Sequence, residues 1–132
     1  MSSKLYPSVL TAPTTFAPFA AGRLTRKEWS SDSLRYQLDE KEGTRYDATQ
    51  EDDKKIAQRV YELSLKYNCS MANICLAWQF AKGVSSPIVG ITKEKYIYDM
   101  INCFDIKLSN DDINYLEELY KTHPSGPNNA WL

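Results

Sequence analysis

One stretch of the chain reads as a strand covered on both faces. Ser86 to Ile91, SPIVGI, is short and almost continuously apolar. That is the pattern of a strand in a parallel sheet between helices, not the alternation of a strand with one wet face. Such a strand needs parallel neighbours, and parallel neighbours are joined by crossover connections that usually contain helices. Only one other piece is strand-like: Phe16 to Leu24, FAPFAAGRL, short, apolar and interrupted by Pro18 and Gly22. It reads as the end of a strand running into a turn.

Helical patterns fill most of the rest. Glu51 to Tyr67 places Ile56, Val60, Leu63 and Tyr67 on one stripe. Asp52 and Asp53 stand where the positive end of a helix favours carboxylates, and Asn68 is a natural stop. Ser70 is positioned to cap a second helix to about Lys82. Met71, Ile74, Cys75, Trp78 and Ala81 make one face of it, and Leu76, Ala77 and Phe80 make the other sides apolar too. This helix is expected to be buried nearly all round, with Gly83 ending it. Thr92 is the expected cap of a third helix to about Cys103, its inner stripe formed by Ile97, Met100, Ile101 and Phe104. Ser109 caps a last helix, with Asp112 at the third position and an apolar row of Ile113, Leu116 and Tyr120. Residues 25 to 50 are polar and aperiodic, with Trp29, Tyr36 and Tyr46 scattered through them, a long loop for a compact domain.

The order is α/β with parallel connections, mostly helical by content. Two strands leave polar edges open and make little core of their own, so the sequence reads as part of a larger sheet. The 132 residues carry a net charge of −1, which gives no electrostatic support for binding nucleic acid. No apolar run approaches the ~18 residues of a membrane span, and the first residues are too weakly apolar for a secretion signal, so a cytoplasmic setting is expected. The three cysteines, Cys69, Cys75 and Cys103, are widely spaced, and His123 is the only histidine. They read as reduced thiols rather than metal ligands, with Cys75 in the core.

Two glycine-containing turns carry the chemistry. In SPIVGITKEK, a strand ends at Gly90 and a helix follows, so free backbone N–H groups and the helix dipole face whatever lies beyond. Gly90 permits close approach of a ligand, Thr92 offers a hydroxyl and Lys93 a positive charge, a combination suited to phosphate. The same residues also suit an ordinary turn that binds nothing. In APFAAGRLTR, Pro18 fixes the chain while Ala20, Ala21 and Gly22 keep bulk low, and Arg23 and Arg26 add charge. Such a segment is able to lie along a pyrophosphate through its backbone.

Taken together the segments resemble a known family. FAPFAAGRLTR resembles the segment after the seventh strand of aldo-keto reductases, in which Y-S-P-L-A-x-G-x-L-T is typical. Residues 51 to 82, with ANICLAWQFAKG, are similar to the helix pair the family places next, and SPIVGITKEKYIYDMINCFDIKLSNDDINYLEELY to the eighth strand, its cofactor-binding turn and the helices after it. The resemblance runs in order from about Phe16 to Tyr120 and is nearest to the aryl-alcohol dehydrogenase branch. It implies the last two strands, with their helices, of a (β/α)8 barrel, a fold that needs ~250 residues. The implied organisation is an irregular segment 1–15, a barrel portion 16–122 and a tail 123–132.

The resemblance also implies NADPH as cofactor. Ala17, Pro18, Phe19, Ala20 and Gly22 fall on the pyrophosphate side. Gly90, Thr92 and Lys93 fall where the family grips the adenosine 2′-phosphate, and Tyr96 and Asp99 fall near the adenine. Tyr96 stands where a Gln or Arg is typical, Met100 where an Asn is common, and Ala17 where the family has Ser. Each removes a polar contact. The family's proton-donor Tyr, with its Lys, Asp and His, comes from earlier strands, and no tyrosine here sits in a matching motif. No catalytic or metal-binding residue is therefore assigned, and catalysis by these residues alone is not expected. The alternative expectation is a small helical interaction module that covers its apolar faces by self-association or with a partner.

Overall fold

A computed structural model describes residues 12–28 and 50–121. Trp29, Tyr36, Tyr46 and His123 lie outside these residues, as do segments 1–11 and 122–132. Strand β1 (Thr14–Phe16) pairs in parallel with strand β2 (Ser86–Ile88), Thr14 opposite Ser86, Thr15 opposite Pro87 and Phe16 opposite Ile88. Helices α1 (Gln50–Lys66) and α2 (Met71–Ala81) lie between them in the chain. Helices α3 (Glu94–Ile101) and α4 (Asn110–Glu117) follow β2. The described residues are thus α/β in connectivity and mostly helical.

The strands differ from expectation. β2 stops at Ile88 rather than Ile91, because its described partner leaves the ladder: Ala17, directly after β1, takes a left-handed φ of 53°. Phe16 to Leu24 holds only the last strand residue. Beyond it Ala20–Thr25 form a 3-10 helix, reached through left-handed Ala17, opening on left-handed Ala20 and containing Gly22 at φ 87°.

The first helices match their local signals. Glu51, Asp52 and Asp53 occupy the first turn of α1, and Asn68 ends it in a left-handed conformation, φ 52°. Ser70 caps α2, its Oγ accepting from the Asn73 N–H at 3.2 Å, and Gly83 follows the helix at φ 88°. α2 buries Met71, Ile74, Cys75, Leu76 and Ala77 together with the polar Asn73 and Gln79. The core joins Val60 and Leu63 of α1, Met71, Ile74 and Cys75 of α2, and Leu116 of α4. All three cysteines are free, and burial pushes the Cys75 thiol up to about 12, consistent with an inert core group.

α4 begins as expected, Ser109 Oγ accepting from the Asp112 N–H at 3.1 Å. Of its expected apolar row, Leu116 is buried and Ile113 half-buried, whereas Tyr120 is exposed beyond the helix end. The helix is tied to the end of α1 by Asp112, whose carboxylate accepts from Lys66 Nζ at 2.8 Å and from the Tyr67 hydroxyl.

α3 is the main correction. Lys93, not Thr92, occupies its cap position, without a side-chain bond, and Asn102–Asp105 continue as a 3-10 turn. The expected inner stripe is mostly exposed: no residue of α3 is buried, and Phe104 is 66% exposed despite its ring contact with Phe80 at 5.2 Å. The spacing is amphipathic, but no described residue covers that face fully. Among the described residues, no helix is long and apolar enough to cross a membrane.

Candidate functional site

Because β1 and β2 run parallel, the segments leaving their C-terminal ends emerge at the same edge of the sheet. Those segments are Ala17–Gly22 and Gly90–Lys93, the two turns singled out by their composition. Outside the carboxyl ends of parallel strands is where open α/β sheets and barrels place their ligands.

The first segment is held in an unusual shape. Ala17 and Ala20 both lie in the left-handed region, which disfavours residues with a Cβ and persists only where the surroundings impose it. Gln79 of α2 is part of that imposition. Its Nε2 donates to the Pro18 carbonyl at 3.3 Å, and its Oε1 accepts from the Thr15 hydroxyl. Pro18 and Gln79 are buried. Arg23 and Arg26 lie in and just after the 3-10 helix, and Gly22 needs its flexibility for its φ rather than for space. Gln79 was not singled out from the sequence. Its signal was a single amide in the apolar run ICLAWQFA.

The second segment is open. A Cβ added to Gly90 would meet no heavy atom within 4 Å, so the backbone there is approachable from outside. Thr92 and Lys93 are exposed. The capping residue Lys93 makes no side-chain bond to the helix; the Tyr96 N–H already bonds the Lys93 carbonyl at 3.0 Å, and the Glu94 and Lys95 amides keep their donors for an external acceptor. Lys93 Nζ forms no ion pair among the described residues. The corner therefore presents backbone donors, a hydroxyl and a cation around an approachable glycine, which is a donor set for an anion.

Tyr96 and Asp99 lie on α3 beyond this turn. Tyr96 is exposed, with Lys95 Nζ 5.3 Å from its ring centre. Asp99 is half-buried, and its Oδ2 accepts from the Ser70 hydroxyl at 2.6 Å. The hydroxyls of Tyr67, Tyr98 and Tyr115 each donate to a carboxylate, of Asp112, Glu94 and Glu62 respectively. Among the described residues no group of three or more His, Cys, Asp or Glu side chains is placed to hold a metal ion.

Comparison with known proteins agrees with this architecture. The aldo/keto reductase family matches residues 12–121. An aldo-keto reductase of Fusarium vanettenii is 36% identical over 109 residues, covering 83% of this chain and 29% of its own length. The versiconal hemiacetal acetate reductase of Aspergillus parasiticus is 35% identical, over 80% of this chain and 31% of its own. A Schizosaccharomyces pombe protein bearing an aryl-alcohol dehydrogenase name is 49% identical over 67 residues, 51% of this chain and 19% of its own. The chain belongs to the aldo-keto reductase family, and it spans less than a third of the length of these curated relatives.

Proposed function

We propose that these residues form the cofactor-binding end of an NADPH-dependent aldo-keto reductase acting on aldehydes, ketones or aryl alcohols, built as the last two strands of a (β/α)8 barrel. The observation that carries this reading is the parallel pairing of Phe16 with Ile88, which sends both glycine-containing turns off one edge. In this reading Ala17, Pro18, Phe19, Ala20 and Gly22 lie along the pyrophosphate. Gly90, Thr92 and Lys93 receive the 2′-phosphate, and Tyr96 and Asp99 border the adenine. The cofactor supplies the hydride; this chain's residues bind its phosphates and orient it. The fit rests on the open backbone at Gly90 and on the cation at Lys93.

General acid catalysis needs a proton donor held at the reacting oxygen, and the family's donor comes from strands outside this segment. The 132 residues alone are therefore expected to bind without turnover. Titrating NADPH fluorescence against the wild type and Lys93→Ala tests the binding. The variant should bind NADPH about tenfold more weakly, the loss of one charge-assisted contact, with little change for NADH. Equal responses of the two proteins, or no response from the wild type, reject the site. Turnover of aromatic aldehydes by the wild-type chain comparable to a full-length relative would reject the division of labour. A cytoplasmic setting belongs to this proposal, and the free thiols Cys69, Cys75 and Cys103 fit it.

A second reading, an interaction module, is favoured by one observation: Phe16, Ile88, Ile97, Ile101 and Phe104 are all exposed apolar side chains. Self-association through them predicts a sedimentation coefficient that rises with concentration. A monomer at every concentration rejects it.

A further inference from the structure

We infer that Ser70 and Asn73, at the start of α2, are positioning residues for the phosphate-binding turn, acting by latching Asp99 of α3. This rests on the reading of Gly90–Lys93 as that turn.

α3 begins directly after Lys93, so the helix sets where the turn's cation and amides stand. Yet none of its residues is buried, and apolar packing does little to hold it. Its downstream end is anchored by the 3-10 turn that follows, where Cys103 is buried and Phe104 meets Phe80. Upstream of that turn, its polar ties to the body converge on one residue, Asp99, in the second half of the helix. Ser70 Oγ donates to Asp99 Oδ2 at 2.6 Å, and Asn73 Nδ2 donates to the Asp99 carbonyl at 3.0 Å. Lys93 lies less than two helical turns from that tie, roughly 9 Å along the axis at the ordinary helical rise. Freed from the latch, the helix pivots about its 3-10 end and displaces Lys93 most.

Two details argue against a purely structural role for the pair. The Ser70 hydroxyl accepts from the Asn73 N–H as the cap of α2 and uses its one proton on Asp99, so capping alone does not require a hydroxyl. Asn73 is only 1% exposed, and its Oδ1 is buried without a hydrogen-bond partner. A leucine would avoid that penalty, so what the asparagine adds is its amide donor to Asp99.

The test separates the cap from the latch. Ser70→Asp keeps a good cap for α2 but has no proton for Asp99 and sets a second carboxylate beside it. Ser70→Thr keeps both functions, and Asn73→Leu removes the amide donor while keeping the branched shape of the side chain. The readouts are hydrogen exchange by peptide over 94–101, 71–81 and 110–117 of the full chain, and the affinity for 2′,5′-ADP. Ser70→Asp and Asn73→Leu should speed exchange over 94–101 about tenfold, with 71–81 and 110–117 unchanged, and weaken 2′,5′-ADP about tenfold. Ser70→Thr should match the wild type in both. Unchanged exchange over 94–101, equal acceleration in all three helices, or undiminished affinity in the two disruptive variants overturns the inference. If the wild type itself fails to bind 2′,5′-ADP, the phosphate reading falls, and the positioning role falls with it. A wild type that binds as well as Ser70→Asp instead sinks the latch alone.

Discussion

Phe16 and Ile88 stand opposite each other at the last rung of the parallel ladder, and both are largely exposed, at 81% and 54%. The pair marks the point where the chain turns from scaffold to site. One residue further on, Ala17 leaves the sheet. Two residues beyond Ile88 comes Gly90.

Exposure at that rung has a direct consequence for solution behaviour. Phe16→Glu should leave the unfolding free energy from urea denaturation nearly unchanged, within about 0.5 kcal/mol, because little contact is lost. It should also shift the chain toward the monomer in sedimentation velocity if the apolar face drives association. A large loss of stability would show that Phe16 is covered in solution.

Gly90 should tolerate a side chain structurally but not functionally. A Cβ there meets nothing, and its backbone lies outside the left-handed region. Gly90→Val should therefore change unfolding free energy by no more than about 0.5 kcal/mol, while NADPH affinity drops by about tenfold or more. A variant that binds normally would remove Gly90 from the site.

Gln79 should matter more than a polar residue in a helix usually does. Gln79→Leu leaves the buried Pro18 carbonyl without its donor and the Thr15 hydroxyl without its acceptor, at a cost of about 1–3 kcal/mol. Urea denaturation measures the loss, and exchange at residues 14–18 should rise with it. An unchanged midpoint would mean that β1 is held by its strand pairing alone.

Acid should loosen α4 through Asp112. Burial alone would raise this carboxyl, but hydrogen bonds from Lys66 and Tyr67 outweigh it and hold the group below the ordinary Asp value. The folded protein thus takes up the proton less readily than the unfolded chain. The stabilisation is complete at neutral pH and is lost as pH falls below about 4 through the folded-state value. In Asp112→Asn the decline in stability between pH 5 and pH 3 should be shallower than in the wild type. Parallel profiles would exclude Asp112 as its source.

Features set by neighbouring residues were legible in the sequence, and features set by distant ones were not. Ser70 and Ser109 cap their helices as expected, and Asn68 and Gly83 end theirs, because caps and left-handed stops are decided within a turn. The all-round apolarity of α2 likewise announced its burial. The length of β2 was not readable, because it depends on where β1 turns away. The stripe Ile97, Ile101 and Phe104 has the spacing of an inner face, yet spacing says nothing about whether a partner is present. At the site, the glycine turns were visible as composition, but only the strand register put them on one edge. Asp99 was placed at the proposed adenine end only by resemblance and was not read as the anchor of its own helix, since Ser70 and Asn73 reach it from a different element.

The parallel register also dictates an order of events during synthesis. Thr14 meets Ser86 only after both intervening helices have been made, so the ladder is a late contact of long loop closure, whereas α1 and α2 are neighbours along the chain. The corner proposed to receive the anion is consequently assembled on a helical framework that precedes it. Under rising denaturant it should be dismantled while that framework still stands.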